Sequence, residues 1–213
     1  MQAQIEKTIK NLEKNNITAY YLESSEEIIP LIDSLVEENA TVAVGGSVTL
    51  TETGVLDYLR KGNFQFLDRY KEGLTREEVT EIFKRSIGAD AYLCSCNAVT
   101  EEGELYNVDG NANRVAAIAF GPKKVIMIVG VNKIVSNLDE AVKRVKTIAA
   151  PKNCVRLNCE TYCKEKGHCA DLDGGIGKGC DSPARICRHY LVSAKQSIKG
   201  RMHVIIVNET LGY

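Results

Sequence analysis

Short apolar segments alternate with amphipathic helical segments along most of the chain, and this alternation constrains the fold more than any other feature. The strand-like segments are residues 17–22, 41–44, 64–67, 90–96, 124–129 and 202–207. Several are apolar at nearly every position, which is typical of strands covered by helices on both faces of a sheet. About six such strands separated by helices predict a three-layer α/β fold with a mainly parallel sheet.

Paired polar residues mark where several helices begin. Ser24 precedes Glu27 by three positions, and Thr75 precedes Glu78 by the same spacing. In such a capping box each side chain satisfies a backbone N–H that the first helical turn leaves unpaired. The predicted helices span about residues 24–38, 49–61, 75–87 and 137–150.

The charge balance and the apolar runs limit the expected partners and location. Lys and Arg total 27 against 28 Asp and Glu, so we expect no broad basic surface for nucleic acid. The apolar runs are shorter than a membrane span, and the N-terminal residues lack the apolar core of a signal peptide. We therefore expect a cytoplasmic protein without membrane insertion. In such a protein eight cysteines indicate metal or redox chemistry rather than structural disulfides.

A glycine-rich loop between a buried strand and a helix is the first candidate site. It contains Gly45, Gly46 and Ser47, and it matches neither the GxGxxG fingerprint nor a Walker A loop. Glycines permit a tight turn, and the start of the next helix presents free N–H groups, which suits a phosphate or carboxylate. Thr49 adds a hydroxyl, and Glu52 supplies a carboxylate that is our candidate catalytic group. The alternative is a structural turn in which Ser and Thr only cap the helix.

A second polar loop follows the fourth predicted strand. A hairpin turn is predicted at 102–103 and another tight turn at 109–111, because both contain Gly beside residues that favour turns. The polar side chains predicted to face a ligand are Asp109, Asn111, Asn113 and Arg114. Loops at the carboxyl ends of parallel strands converge, so we expect these side chains to share one site with the glycine-rich loop. The alternative is a structural turn in which Arg114 pairs with Asp109.

Helix and strand periodicity is lost between about residues 152 and 188, where cysteine and glycine are frequent. We interpret this segment as an insertion in a single domain spanning 1–213. A long segment without periodicity needs a cross-link to stay ordered, so we predict one metal centre bound by Cys163, Cys169, Cys180 and Cys187. Their spacings select neither zinc nor an iron–sulfur cluster. The alternative is a reduced segment without metal, or disulfides formed only on oxidation.

A predicted helix start bears on the same centre. Ser182–Pro183 has the order of a cap followed by a first helical residue. A helix there would place Cys180 and Cys187 near its positive end and favour their thiolate forms. The reserve ligands are Cys154, Cys159 and His168.

Two cysteines lie outside this segment. Cys94 and Cys96 are two positions apart on a predicted strand, so their side chains would face the same way. We expect Cys94 to pack in the core, as free cysteines commonly do. We expect Cys96, at the strand end, to be more open.

An ordered series of short motifs runs through the chain from about residue 5 to the end. The motifs are Gly45-Gly46-Ser47, Glu52-Thr53-Gly54, Gly103-Glu104-Leu105, Asp109-Gly110, Asn113-Arg114, Phe120-Gly121-Pro122-Lys123, Val129-Gly130-Val131-Asn132-Lys133, Ala150-Pro151-Lys152-Asn153, Ser182-Pro183-Ala184-Arg185-Ile186-Cys187 and Asn208-Glu209-Thr210-Leu211-Gly212-Tyr213. Together they resemble the LUD-domain family, the lactate-utilisation proteins of bacteria and archaea. The resemblance implies a fold similar to that of the sugar-phosphate isomerase and CoA-transferase superfamily.

The resemblance implies a role in lactate utilisation and leaves the chemistry of the domain open. Family members are associated with oxidation of lactate to pyruvate beside iron–sulfur and oxidoreductase subunits, which are therefore the expected protein partners. This association favours a [4Fe–4S] cluster over zinc at the four cysteines. The sequence departs from the short family form at the ten residues 170–179 and at Cys154 and Cys159, whose role is open.

Three functions are open at this point. The first is a component of lactate or other 2-hydroxy acid oxidation that binds a small anionic ligand at the glycine-rich loop and carries a metal or iron–sulfur centre. The second is a non-catalytic metal-binding redox or scaffold module that docks on a dehydrogenase complex. The third is an isomerase-like or transferase-like enzyme for a phosphorylated or CoA-linked substrate. The sequence shows no Ser/His/Asp or Cys/His arrangement, so acid–base chemistry would fall to carboxylates.

Overall fold

Two β-sheets and a set of short helices make up the structure, a computed structural model that describes residues 2–213. The strands are β1 (Thr18–Leu22), β2 (Thr41–Val44), β3 (Gln65–Leu67), β4 (Ala91–Cys94), β5 (Ala98–Thr100), β6 (Leu105–Asp109), β7 (Lys124–Gly130), β8 (Ile134–Val135), β9 (His189–Ser193) and β10 (Met202–Val207). The helices are α1 (Gln2–Lys14), α2 (Ile28–Leu35), α3 (Val48–Glu52), α4 (Val55–Lys61), α5 (Arg76–Ser86), α6 (Asn113–Ala119), α7 (Leu138–Arg144), α8 (Ala150–Arg156) and α9 (Tyr162–Lys166). A π-helical turn at Val145–Ala149 joins α7 to α8.

The larger sheet is entirely parallel and confirms the predicted three-layer α/β fold. Its strands have the order β1-β10-β7-β4-β2-β3, and each neighbouring pair is parallel. Along β7, Val125 and Met127 pack in one core cluster, while Ile126 and Ile128 pack in another. Both faces of the sheet are therefore covered, which explains why β7 is apolar from Val125 to Val129. Burying an aliphatic side chain of this size stabilises the fold by about 1.5–3 kcal/mol.

The smaller sheet has the order β8-β5-β6-β9 and was only partly predicted. The hairpin between β5 and β6 is antiparallel, as the turn at 102–103 predicts. β9 pairs antiparallel with β6, although it lies just beyond the segment that lacks periodicity. The predicted insertion therefore starts inside a helix, α8, and leads into a strand that closes this sheet.

Three local predictions are wrong, and the first two have a steric or hydrogen-bonding reason. The helix predicted at 49–61 is two helices, because the chain turns at Gly54 with φ of +68°, a conformation that favours glycine. No helix starts at Ser182–Pro183: Ser182 Oγ accepts from Ala184 N at 3.1 Å, in a turn that does not continue as a helix. Strand β4 ends at Cys94, so Cys96 lies beyond it.

The capping boxes at Ser24 and Thr75 are present as predicted. Asn137 Oδ1 also caps its helix by accepting from Glu140 N at 3.0 Å. Within residues 2–213, the helices all fall short of the length and apolar character that a bilayer crossing requires.

Candidate functional site

A cavity of about 300 Å³ lies at the carboxyl ends of β2, β4 and β7, and we call it the sheet-edge cavity. Its walls come from the loops after these three strands, the loop after β6, the π-helical turn with α8, and residues 184–188. This is the edge at which open α/β sheets bind ligands, because the loops of neighbouring parallel strands converge there. Its volume is at the lower end of the range of small-molecule sites.

The structure brings the two predicted loops together at this cavity. The predicted residues that line it are Gly46, Ser47, Thr49, Asp109, Asn111, Asn113 and Arg114. Two predicted residues are not in its lining. Gly45 lies behind it, and the exposed Glu52 carboxylate accepts from the N–H of Gly212 at 2.6 Å. The shared location agrees with our expectation for the two loops, and ligand binding there stays a prediction.

Gly45 is required by a close approach of the two loops. A Cβ built at this position would lie 3.0 Å from Arg114 Cδ and 3.0 Å from Cys94 Cβ. Both distances are shorter than ordinary van der Waals contacts. At Gly46 the nearest side-chain atom would be 3.6 Å away, on Arg69. The first glycine therefore makes room for Arg114, whereas a Cβ at the second would make only ordinary van der Waals contacts.

The Arg114 guanidinium is buried and bonded to uncharged oxygens. It is 9% exposed, and its partners are Ser95 O at 3.2 Å, Asn107 Oδ1 at 2.6 Å, Asn97 Oδ1 at 2.9 Å and Val108 O at 2.6 Å. Each of these neutral acceptors satisfies a donor without cancelling the positive charge. Arg114 therefore both fixes the loop after β4 and leaves a net positive charge beside the cavity.

Asp109 does not neutralise Arg114. Its carboxylate accepts from the backbone N–H groups of Arg114 at 2.8 Å, Val115 at 3.2 Å and Asn111 at 3.3 Å. It thus caps the start of α6, where the N-cap residue Ala112 has no side chain able to do so. The alternative that Arg114 pairs through its side chain with Asp109 is wrong.

Lys133 is the most deeply buried cation of the cavity, and sequence reasoning did not select it. It is 2% exposed, and its Nζ donates to Thr49 Oγ1 and to Ser95 Oγ, each at 3.0 Å. Burial lowers the pKa of Lys133 to about 8, and the nearby charge of Arg144 adds to this effect. A lysine three residues beyond the carboxyl end of the apolar strand β7 is the sequence signal that could have identified it.

The cavity is strongly positive. Six cationic side chains line it, against the single acidic side chain of Asp109, and they are Arg69, Arg114, Lys133, Arg156, Arg185 and Arg188. The ion pairs found within residues 2–213 involve other cations at the surface. The six cations therefore have no carboxylate partner in the described part of the chain, which favours an anionic ligand.

The segment ending at Tyr213 lies against the same cavity. A Cβ at Gly212, where φ is +56°, would approach Thr49 Oγ1 to 2.6 Å and Lys133 Nζ to 3.2 Å. The Tyr213 hydroxyl accepts from Arg156 Nε at 2.9 Å and donates to Asn153 Oδ1 at 3.1 Å. This segment therefore covers Lys133 from the side of α8.

Cys94 and Cys96 are both buried. Cys94 is fully buried and packs in the core, as expected. Cys96, expected to be more open, is 2% exposed, because its Sγ donates to Ala98 O at 2.7 Å and Tyr106 O at 3.2 Å. Burial raises the pKa of the Cys96 thiol. Cys96 is therefore a neutral, hydrogen-bonded thiol in the wall of the sheet-edge cavity.

The four cysteines predicted to bind a metal border one smaller cavity, of about 20 Å³, which we call the cysteine cavity. They are Cys163, Cys169, Cys180 and Cys187. The side chains are not drawn together: in the part of the chain that the structure describes, no three His, Cys, Asp or Glu side chains form a group able to hold a metal. Metal binding therefore stays a prediction.

The reserve ligands lie outside the cysteine cavity. Cys154 is a buried residue of α8, and its Sγ is 3.6 Å from Cys163 Sγ. Cys159 is partly exposed. The His168 ring lies edge-on to Tyr162 at a centroid distance of 5.6 Å. Cys187 also lines the sheet-edge cavity, so the two cavities share a wall.

Two cations order the segment that carries these cysteines. Buried Lys146 donates through Nζ to Asp171 O at 2.6 Å and also to Gly174 O. Arg185 donates to the backbone oxygens of Cys187 at 2.8 Å, Gly177 at 2.9 Å and Cys180 at 3.3 Å. Protein groups thus supply part of the cross-linking that the sequence analysis assigned to a metal alone.

A family model and one solved structure agree with this fold. The model of the LUD domain matches residues 5–207. The crystal structure of a DUF162 family protein from Deinococcus radiodurans is similar with a TM-score of 0.54 and 16% identity, covering 97% of each chain. Ribose 5-phosphate isomerase from Plasmodium falciparum matches 53% of this chain and 52% of its own, with 14% identity and a TM-score of 0.33. Among the curated proteins no sequence matches.

Proposed function

The chain belongs to the LUD-domain family, and we propose that it serves lactate or other 2-hydroxy acid utilisation by binding a small anionic ligand in the sheet-edge cavity. The observation that carries this proposal is the set of six cations around one cavity, none of them paired with a carboxylate within residues 2–213. Cations that are not neutralised by the protein raise the local concentration of an anion and stabilise it once bound.

Lys133 is the expected primary contact for the anion. An ammonium group has three N–H donors, and those of Lys133 that bond Thr49 and Ser95 leave one for a ligand. The two hydroxyls hold Nζ in place, so little side-chain entropy is lost on binding. A carboxylate bonded to Lys133 would stabilise its ammonium group, which burial destabilises.

The two polar loops would orient the rest of the ligand. Gly46 and Ser47 line one side of the cavity, and Asn111 and Asn113 line another. Amide and hydroxyl groups can both donate and accept, which suits the hydroxyl or oxo group next to the carboxylate of a 2-hydroxy or 2-oxo acid.

Calorimetric titration of the protein with lactate, pyruvate and inorganic phosphate tests this proposal. The decisive variant is Lys133→Met, and Lys10→Met is the matched control, because Lys10 is exposed on α1. A charge-assisted hydrogen bond contributes about 1.5–3 kcal/mol, so we expect at least about a tenfold loss of affinity for Lys133→Met. The control should stay within about twofold of the wild type. Equal affinities for the two variants, or no binding of any of the three anions, would contradict the proposal.

A second candidate function is an isomerase-like or transferase-like activity on a phosphorylated or CoA-linked substrate. The observation that favours it is the spread of the cations, because Lys133 lies deep in the cavity whereas Arg156 and Arg188 are exposed at its rim. A three-carbon acid fills only a small part of about 300 Å³. A ligand with a second anionic group would contact both Lys133 and the arginines at the rim.

Thermal unfolding with ribose 5-phosphate or CoA as the added ligand separates the two candidates. If the ligand carries a second anionic group, Arg188→Met should lower the stabilisation by the phosphorylated probe and leave the effect of lactate unchanged. If lactate alone stabilises the protein, the second candidate fails.

A further inference from the structure

We propose that Cys154 and Cys163 are a redox modification site, at which a small-molecule disulfide such as oxidised glutathione converts the two thiols into a reversible disulfide. The thiols are already in contact, because Cys163 Sγ lies 3.6 Å from Cys154 Sγ. A disulfide bond is about 2.05 Å long, so the two sulfurs need to approach each other by only about 1.5 Å.

The two cysteines lie on neighbouring helices that a short loop connects. Cys154 belongs to α8 and Cys163 to α9, and these helices pack against each other. Cys159 N donates to Cys154 O at 2.9 Å, which folds the loop back against α8. Thr161 then caps α9 with its side chain. The contact between the sulfurs is therefore fixed by local structure that the reaction does not have to build.

Cys163 is the thiol that a dissolved oxidant reaches first. It is 8% exposed, whereas Cys154 is 1% exposed. Helix α9 has five residues, and Cys163 is the only one of them that is buried, so a brief opening of this helix brings its sulfur to the solvent. Burial raises the pKa of the Cys154 thiol, and the neighbouring Cys163 adds to this effect. Once Cys163 is part of a disulfide it carries no charge, and this second cause is removed.

The reaction consists of two thiol–disulfide exchanges. In the first, the Cys163 thiolate attacks one sulfur of oxidised glutathione and forms a mixed disulfide, and one glutathione leaves and takes up the proton that Cys163 lost. In the second, the Cys154 thiolate attacks the Cys163 sulfur, and the other glutathione leaves and takes up the proton of Cys154. The two cysteines are thereby oxidised by two electrons, and oxidised glutathione is reduced to two thiols.

The disulfide would join α9 to a helix that borders the sheet-edge cavity. Helix α8 carries Asn153 and Arg156, which line this cavity and bond the Tyr213 hydroxyl. A cross-link at the residue after Asn153 limits the movement of α8, so less ordering remains when an anion binds, and binding becomes tighter. This second step rests on the proposed anion site, whereas formation of the disulfide does not.

Differential alkylation with peptide mapping tests the inference on the whole chain, reduced first and then incubated without oxygen in buffers of oxidised and reduced glutathione. We expect one disulfide per chain, between Cys154 and Cys163, which is lost when reduced glutathione is in excess. Cys154→Ser should stop at a mixed disulfide on Cys163, and Cys163→Ser should leave Cys154 unmodified. The matched control Cys159→Ser should keep the disulfide, although Cys159 is partly exposed.

Three results would overturn the inference. A disulfide from Cys159 to either cysteine would mean that the pair is wrong. Wild-type protein without an intramolecular disulfide in the most oxidising buffer would remove the site, even if the serine variants fail to fold. Glutathione on Cys154 in Cys163→Ser would mean that the order of attack is wrong.

Calorimetric titration of the oxidised and reduced protein with lactate tests the second step separately. We expect the oxidised protein to bind lactate at least about twofold more tightly. Equal affinities would overturn the link between the disulfide and the anion site. Absence of lactate binding by both forms would contradict the proposed function and would leave the disulfide standing.

Discussion

The sheet-edge cavity and the cysteine-rich segment at about residues 152–188 both contain buried cations. The two regions use these cations differently. In the segment, buried Lys146 and partly buried Arg185 donate to backbone carbonyl oxygens. In the cavity, Lys133 donates to two hydroxyls and lines open space. The first arrangement orders a chain that has few apolar residues, and the second keeps a positive charge available to a ligand.

The difference shows how to distinguish structural from functional buried charge. A cation whose donors are used by backbone oxygens stabilises the fold, because each unsatisfied carbonyl would cost about 1–3 kcal/mol. A cation held by hydroxyls beside a cavity keeps a donor for a ligand, and its burial disfavours the charged form. Arg114 and Arg185 belong to both classes, since each donates to backbone oxygens and also lines the sheet-edge cavity.

Arg114→Met should have the largest effect on stability. It removes four hydrogen bonds and leaves Asn107 Oδ1 and three other acceptors without this donor, so we expect a loss of about 3–5 kcal/mol. Urea unfolding measures the change. Arg188→Met, at an exposed arginine of the same cavity, should change stability by less than about 0.5 kcal/mol. Similar values for the two variants would mean that Arg114 has no structural role.

Lys146→Met should cost about 2 kcal/mol, because two backbone oxygens lose their donor in a part-buried position. Hydrogen exchange should become faster at residues 169–175 and stay unchanged in the glycine-rich loop at 45–47. The control is Lys143→Met, whose side chain is 67% exposed in a surface ion pair with Glu140. Faster exchange in both regions would remove the distinction between them.

Alanine substitution at the two glycines of the glycine-rich loop should affect the free energy of unfolding differently. Gly45→Ala is expected to cost about 1–3 kcal/mol, because its Cβ would press on Arg114 in a packed region. Gly46→Ala should be nearly neutral for folding, since its nearest side-chain contact would be 3.6 Å. Gly46→Val should weaken ligand binding more than folding. Equal destabilisation by the two alanine substitutions, measured by urea unfolding, would contradict the geometry.

The pH dependence of stability also reports the burial of Lys133. Because the pKa of Lys133 is lowered to about 8 from its usual 10.5, the unfolded chain binds more protons than the folded one between these pH values. Wild-type stability should therefore rise with pH from about 8 to 10.5 relative to Lys133→Met. Anion affinity should fall as Lys133 loses its proton above about pH 8. Parallel stability curves for the two proteins would show that the pKa is not shifted.

The parallel sheet could be predicted from the sequence because its signals are local. The continuous apolar run at 125–129 and the capping boxes at Ser24 and Thr75 depend on neighbours a few residues away. The smaller sheet could not be predicted in full, because β9 is partly exposed along most of its length and gains its partner β6 only in the folded chain. The break at Gly54 depends on a backbone angle that a single sequence does not reveal.

The candidate site was predicted in part for the same reason. Gly46, Ser47 and Asn111 lie in turns that a sequence displays, and they line the cavity. Lys133 was missed because its role comes from burial by a segment some eighty residues further along the chain. Lys133 is therefore a second candidate, besides the carboxylates, for acid–base chemistry. The sequence shows the spacing of Cys163, Cys169, Cys180 and Cys187, but not that all four line the same small cavity.

The central claim is that Lys133 is the charged centre of an anion site, and its pKa measured by NMR of isotope-labelled lysine tests this most directly. Lys133→Met identifies the resonance by its loss. The account predicts a pKa of about 8 in the free protein and a higher pKa with lactate, pyruvate or phosphate, because a bound anion stabilises the charged form. An ordinary lysine pKa that none of these anions changes would contradict the claim.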